Sequence, residues 1–336
     1  MITSPPTRGR VERHWISSSA LKGNRMGDPH ERELFVYLPP AYDPAQRYPL
    51  VLMLPSHGNT AQSLLNWRGW GEGVDQQADR LILSGACPPF VMVLPDTWTA
   101  LGGSLHLNSP LLGNYETYLL EEILPFVEGR YPLLPDRRAV MGRSSGGYAA
   151  LVFAMRRRGL FQAVAAHSAD LYFEFSLLPE FAKMDRLLAG FNGLEGFLNE
   201  ARALTPKQQA FFDLAAPIAA LSVLAQNPAA PFGFDLPIDD LGALREDVWE
   251  RCLPYDPLRM VVTPTHAESL RELRALVIDC GAYDEYNLQV GARLFHRTLD
   301  RLGIRHIYES YPAGHRHTQY RYDVSLPILV RALLES

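Results

Sequence analysis

Gly142-Arg143-Ser144-Ser145-Gly146-Gly147 is the stretch on which the reading of this chain turns. It follows a short apolar run, Arg138-Ala139-Val140-Met141, and opens a segment of helical character from about Tyr148 to Arg158. A G-x-S-x-G pentapeptide between a strand and a helix marks a nucleophile elbow. The chain reverses there so tightly that the residues two before and two after the serine have no room for a Cβ. Gly142 and Gly146 meet that demand around Ser144, whereas the corresponding neighbours of Ser145 are Arg143 and Gly147. Ser144 is therefore the candidate nucleophile, and the backbone N–H of Ser145 is a candidate oxyanion donor.

Working outward, apolar runs alternate with helical patterns. Val11 to Ser18 and Glu33 to Leu38 read as strands, the second stopped by Pro39-Pro40. Pro49 to Leu54, Phe90 to Leu94, the run before Ser144, Ala163 to Ala166 and Ala275 to Ile278 are continuously apolar, as expected for strands buried on both faces. Ile304 to Tyr308 reads as a last strand. Leu119, Ile123 and Val127 share one helical face, and Leu288, Ala292, Phe295, Leu299 and Leu302 form a stripe ended by Gly303. This alternation predicts an α/β fold with a mainly parallel, doubly wound sheet. Function in such sheets collects at the C-terminal ends of the strands. The segments holding His57-Gly58, Asp96, Ser144, Asp284 and His315 all fall there.

The interval 171–266 breaks the alternation. It is rich in Phe and Leu, punctuated by prolines, and reads as short helices without a buried strand. A stretch that long is expected to be a subdomain. Residues 11–170 and 267–336 then form the core, 171–266 a helical cap insertion over the strand tips, and 1–10 a loose leader. The alternative for 171–266 is packing to one side as a dimer contact.

The chain has 336 residues, 47% hydrophobic and 21% charged, with a formal net charge of -5 and no long basic run. That removes the electrostatic case for nucleic acid or an anionic membrane surface. Arg156-Arg157-Arg158, just before Gly159, reads as a solvated helix end. The three cysteines, Cys87, Cys252 and Cys280, are too few and too far apart for a disulfide framework or a zinc site, and fit a reducing compartment. The first ten residues lack the apolar core of a signal peptide. No run approaches the roughly 18 apolar residues of a membrane span. The expected location is the cytoplasm, and a homo-oligomer is compatible with the sequence.

A serine hydroxyl needs an adjacent base, usually histidine, and that histidine needs an orienting acid. Of ten histidines, His315 stands out because it follows Pro312-Ala313-Gly314 directly after the last predicted strand; His317 is second choice. His296 and His306 read as packing or surface groups. For the acid, Asp284 lies far enough into the loop after Ala275–Ile278 to reach across, with Asp279 at the strand tip as the alternative. Asp279 otherwise reads as a group that satisfies loop amides. The second oxyanion donor is expected from the loop after Pro49–Leu54, where the amide of Asn59 follows Gly58. His57, Asp96, Asn114 and Glu116 are candidate pocket-lining groups; Asp96 could instead brace loops, and Asn114 and Glu116 could cap a helix. His57 has no partner at metal-ligand spacing. No metal or cofactor is expected.

Several of these stretches together resemble the esterase family of α/β-hydrolases that includes S-formylglutathione hydrolase, feruloyl and acetylxylan esterases, enterochelin esterases and mycolyltransferases of the antigen 85 type. They are Phe35 to Tyr42, His57-Gly58, Val93 to Asp96, Gly113 to Tyr118, Gly142 to Tyr148, Ile278 to Asp284 and Pro312 to His315, in family order. The resemblance implies an α/β-hydrolase fold, Ser144 as nucleophile, Asp284 as acid, His315 as base, and the amides of Asn59 and Ser145 as oxyanion hole. It departs from the family at His317, where a tryptophan is frequent, and in the length of 171–266. The expected activity is hydrolysis of a small-molecule carboxylic ester through an acyl-enzyme. An acyltransferase using the same residues, a peptidase of the prolyl-oligopeptidase type (against which the lack of a propeller domain counts), and a non-catalytic module of the same fold are the alternatives.

Overall fold

A computed structural model describes residues 8–67, 69 and 71–335. Its strands are β1 (Arg10–Ser17), β2 (Glu31–Leu38), β3 (Tyr48–Leu54), β4 (Val91–Pro95), β5 (Asn108–Ser109), β6 (Gly113–Asn114), β7 (Leu133–Arg143), β8 (Ala163–His167), β9 (Ala275–Gly281) and β10 (Ile307–Tyr311). Eight of them form one sheet in the order β1-β2-β4-β3-β7-β8-β9-β10, and β5 and β6 make a small ladder of their own. Within the large sheet β2 runs antiparallel to β1 and β4, and every other pairing is parallel. This is the sheet of an α/β-hydrolase.

The continuous apolar runs follow from burial on both faces. Along β3, Leu50, Leu52 and Leu54 join one apolar cluster while Val51 and Met53 join another. The first cluster is closed by the helices Ser145–Arg156 and Leu288–Arg301, through Tyr148, Leu151, Phe295 and Leu299. The second is closed by Val74–Leu83 and Tyr322–Leu334, through Val74, Leu81, Leu326 and Val330. Each fully buried side chain of this kind contributes about 1.5–3 kcal/mol relative to exposure.

β10 lies three residues later than the sequence predicts. Ile304 is only 2% exposed and packs under the end of the preceding helix, its N–H donating to Leu299 O at 3.0 Å. The strand itself is an edge strand with Ile307 and most of its residues open to solvent, so it lacks the apolar run that marks the central strands. The predicted helical face of Leu119, Ile123 and Val127 holds, but Tyr118–Ile123 is wound as a π-helix before Leu124–Glu128 resumes the α-helix. Residues 1–7 of the expected leader lie outside the described residues. Gly9 is not loose: its N–H donates to Asp79 Oδ1 at 3.0 Å, and Arg10 begins β1.

Between β8 and β9 the chain is helical, with Leu178–Ala189, Gly193–Arg202 and Gln209–Leu224 as its long elements. Phe181, Met184, Phe197, Leu214, Ile218 and Leu221 are buried there and continue the first apolar cluster. The last helix, Pro264–Arg271, crosses the expected boundary at 266 and packs against Ser145–Arg156. Arg156, Arg157 and Arg158 form ion pairs with Glu116 (the first two) and Glu272, so that helix end is tied down rather than merely solvated. Among the described residues no helix is long and apolar enough to cross a membrane.

The elbow depends on bare glycines. A Cβ on Gly146 would stand 2.5 Å from Leu54 O and 3.0 Å from Pro55 O, backbone atoms that cannot swing aside. Gly146→Ala is therefore expected to lower the unfolding free energy by about 1–3 kcal/mol, read as a lower urea midpoint at unchanged slope.

Candidate active site

Ser144 sits between β7 and the helix Ser145–Arg156 with φ 56° and ψ -125°, a conformation that L-residues rarely adopt. Its N–H donates to His167 O on β8 at 2.9 Å, and its own carbonyl accepts from Tyr148 N at 2.8 Å. The side chain is left projecting from the strand tip into a cavity of about 1150 Å³. His57, Asn59, Ser145, His315 and His317 line the same cavity.

The structure brings His315 and Asp284 together. His315 Nδ1 lies 2.8 Å from Asp284 Oδ2, and Asp284 Oδ1 accepts from Tyr286 N at 3.0 Å. The carboxylate is only 3% exposed, so this pairing is shielded from water. Three further contacts hold the loop of His315. Glu285 Oε2 accepts its backbone N–H at 2.7 Å, Arg143 donates to its carbonyl at 2.8 Å, and the Tyr286 ring packs edge-on at 4.9 Å. The His315 N–H holds the Glu285 carboxyl below its ordinary pKa. Among the described residues no hydrogen bond joins the Ser144 hydroxyl to the His315 ring. Such contacts are often long before a substrate is bound.

The oxyanion donors are unequal. Ser145 is the first residue of its helix, so its N–H has no intrahelical acceptor. The Asn59 N–H instead closes a turn onto Ser56 O at 3.0 Å. The neighbouring Gly58 N–H donates to Gly102 O at 2.7 Å and His57 N–H to Ser145 Oγ at 2.8 Å. These bonds clamp the loop after β3 against the elbow. The His57 ring packs beneath Gly102, where a Cβ would come within 2.8 Å of its Nε2, and burial pushes its pKa down to about 4. It is a neutral wall group.

Three expected lining residues are elsewhere. Asp96 pairs with Arg32 at 3.2 Å and accepts from Trp98 N at 3.1 Å, which makes it a brace between loops. Glu116 is buried and binds Arg157 at 2.8 Å. Asn114 belongs to β6 and makes no side-chain cap; the helix start at Thr117 N is met by Asn108 instead. Asp279, the alternative acid, does not reach His315. It is 1% exposed, 2.9 Å from His167 Nδ1, and accepts from Arg321 Nε at 3.0 Å. Its role as a group for loop amides is also corrected, since its carboxylate serves side chains within a network that extends to Ser325 and Glu309.

Sequence reasoning missed Asp170. It lies three residues beyond the end of β8 and lines the cavity beside the triad candidates. Burial raises its pKa to about 6, opposed by His315 and reinforced by Asp284. A strand tip ending in an acid was the available signal. Arg143, inside the elbow motif, gave none, because an exposed-looking x position carries no pattern.

Two outcomes test these assignments. Asp279→Asn removes the buried charge facing Arg321 and should cost about 3–5 kcal/mol of stability, measured by denaturant unfolding. Asp170 has a folded-state pKa above its ordinary 3.8, so its contribution is favourable at low pH and is lost as pH rises through about 6. Asp170→Asn should therefore melt higher than wild type at pH 7 and show no such advantage at pH values below the ordinary carboxyl range. A wild-type-like difference at both pH values would contradict this.

Residues 24–184 match the family model described as "Putative esterase". Esterase Rv1288 of Mycobacterium tuberculosis is 31% identical over 134 residues, covering 37% of this chain and 29% of that protein. S-formylglutathione hydrolase of Mus musculus is 25% identical over 139 residues, covering 39% of this chain and 49% of that protein. The chain thus spans half or less of the curated relatives it matches. Among solved structures, a ferulic acid esterase superposes with TM-score 0.63 at 20% identity, covering 97% of this chain and 99% of its own. An S-formylglutathione hydrolase from Agrobacterium tumefaciens gives TM-score 0.61 at 16% identity, covering 99% of each chain. Residues 24–184 are thus similar to the esterase family, and the fold is that of the α/β-hydrolase esterases.

Proposed function

We propose that this chain is a serine carboxylic-ester hydrolase in which Ser144 is the nucleophile, His315 the base and Asp284 the orienting acid. The observation that carries the reading is the buried 2.8 Å contact between His315 Nδ1 and Asp284 Oδ2 in the wall of the cavity that also holds Ser144. With Nδ1–H donated to the carboxylate, the neutral ring presents an unprotonated Nε2 to the cavity. That nitrogen takes the Ser144 proton as Oγ attacks the ester carbonyl, and Asp284 stabilises the imidazolium that results. The carbonyl oxygen gains the electron pair and is met by the Ser145 N–H at the positive end of its helix. The Asn59 N–H joins it by sharing its bond to Ser56 O or releasing it. Collapse of the tetrahedral adduct expels the alcohol, which takes the proton from His315. Water, deprotonated by the same imidazole, then frees the acid.

In this proposal residues 171–266 act as the cap. Phe173, Phe175, Phe211 and Phe212 from that interval line the cavity with Ser144, and Phe175 and Phe212 stay 44% and 58% exposed instead of joining the cap's own core. Rings left open in this way offer an apolar surface to an acyl group. A cavity of about 1150 Å³ has room for far more than a formyl or acetyl unit.

Ser144→Ala should abolish hydrolysis of p-nitrophenyl esters and labelling by a fluorophosphonate probe while the protein unfolds at an unchanged denaturant midpoint. Asp284→Asn should reduce kcat by roughly 10⁴-fold. Turnover near the wild-type rate in the serine variant overturns the assignment. In an ester panel, kcat/KM should rise from acetyl to longer or aromatic acyl groups; a preference for acetyl would contradict the cap's proposed role. Product analysis with added alcohol distinguishes hydrolysis from acyl transfer.

A further inference from the structure

The helix Leu288–Arg301 presents His296 and Asp300 one turn apart on the same face, and the segment that follows brings His306 against them. His306 Nδ1 is 2.8 Å from Ile304 O. A carbonyl only accepts, so that nitrogen carries the proton and Nε2 of the neutral ring is a bare lone pair. It points at His296 Nδ1, 2.7 Å away. If His296 donates through Nδ1, its own Nε2 is bare and faces Asp300 Oδ2 at 3.5 Å. Asp300 Oδ1 is also 4.0 Å from His306 Nε2. In that arrangement the His306 lone pair is met by the His296 N–H and the bare His296 Nε2 faces a carboxylate oxygen; in the other tautomer of His296 two ring lone pairs face each other at 2.7 Å. A cation would draw on a lone pair of each ring and on the carboxylate.

We propose that His296, Asp300 and His306 form a binding site for one divalent transition-metal ion of the zinc class. Two imidazoles and a carboxylate suit such an ion better than Mg²⁺ or Ca²⁺, which favour all-oxygen sets. One nitrogen of each histidine and one carboxylate oxygen of Asp300 lie within 4.8 Å of one another, so small side-chain adjustments bring them to the roughly 3.3 Å edge of a tetrahedron with metal–ligand bonds of about 2.0–2.1 Å. The donors are also held in place before any ion arrives. The His296 ring stacks on Tyr308 at 4.4 Å with 12° between planes, and the His306 side chain is 4% exposed and fixed by its bond to Ile304 O. Asp300, 59% exposed, leaves the fourth position open to water and gives the ion a way in.

The site lies at the start of β10, whereas His315 follows its end, so the ion is remote from the cavity. Its effect is mechanical. It ties the last turn of the helix to the edge strand that feeds the Pro312–His315 loop, and binding to the fold alone stabilises the fold.

The full chain, stripped with chelator, is titrated with Zn²⁺ in the presence of Mg²⁺, and thermal unfolding is followed alongside. One equivalent should bind saturably and raise the Tm. His306→Gln and Asp300→Asn should each weaken binding by about 10-fold or more and remove the Tm gain, with p-nitrophenyl ester turnover unaltered in Asp300→Asn. The Asp300 variant decides the question even if His306→Gln is poorly folded, because its carboxylate is exposed. Absence of saturable Zn²⁺ binding, or binding that Asp300→Asn leaves unchanged, overturns the proposal.

Discussion

The tight backbone crossing at the elbow is the constraint on which the rest of the molecule depends. Three strands converge there: Gly146 lies against the carbonyl of Leu54 on β3, Ser144 N–H is taken by His167 O on β8, and β7 enters between them. Gly142 and Gly146 themselves meet so closely that a Cβ on Gly142 would stand 2.5 Å from Gly146 C. A serine at φ 56° costs of order 1–3 kcal/mol and persists only where its surroundings over-determine it. Here that surrounding is the fully buried centre of the sheet. The strain and the exposure of the hydroxyl have one cause: the chain has no other way to leave β7 and enter the helix.

β9 illustrates how context separates two identical pairings. It carries Asp279 inside the strand and Asp284 just beyond it, and each meets a histidine within 3 Å. Asp279 with His167 is closed off by Arg321, Ser325 and the Tyr322 ring, with every polar atom satisfied from within. Asp284 with His315 has the same chemistry but one face toward the cavity. The first pair locks the helix Tyr322–Leu334 to the sheet; the second borders the cavity that Ser144 lines. Burial without an opening makes structure, and burial beside an opening makes chemistry available.

The sheet, its order of buried strands and the placement of Ser144, Asp284 and His315 at strand ends were legible in the sequence because each rests on a local signal. Continuous apolar runs mark strands covered on both faces, and glycine spacing marks the elbow. β10 was misplaced because an edge strand has no such run. Asp96 braces loops as its strand-tip position suggests, while Asn114 and Glu116 lie away from the cavity for a related reason. A polar residue near a strand tip is equally suited to brace a loop, and which it does depends on partners such as Arg32 and Arg157 that lie far away in the chain. The Asn59 amide shows the same limit at finer scale, since nothing in His57-Gly58-Asn59 announces that Ser56 O will accept its proton.

The cavity wall has two origins, and they carry different loads. Loops at the strand tips are held by short backbone contacts: Glu285 to the His315 amide, Arg143 to its carbonyl, Ser145 Oγ to the His57 amide. Changes there would move the His315 ring relative to Ser144. The helical interval after β8 contributes side chains, with its own buried Phe and Leu residues supplying rigidity and its open rings supplying surface. Because those open rings add little to the interval's own core, they can be exchanged at small cost in stability. Asp170 sits at the junction of the two, a carboxyl whose burial disfavours its charge and which nonetheless faces the space a substrate would fill.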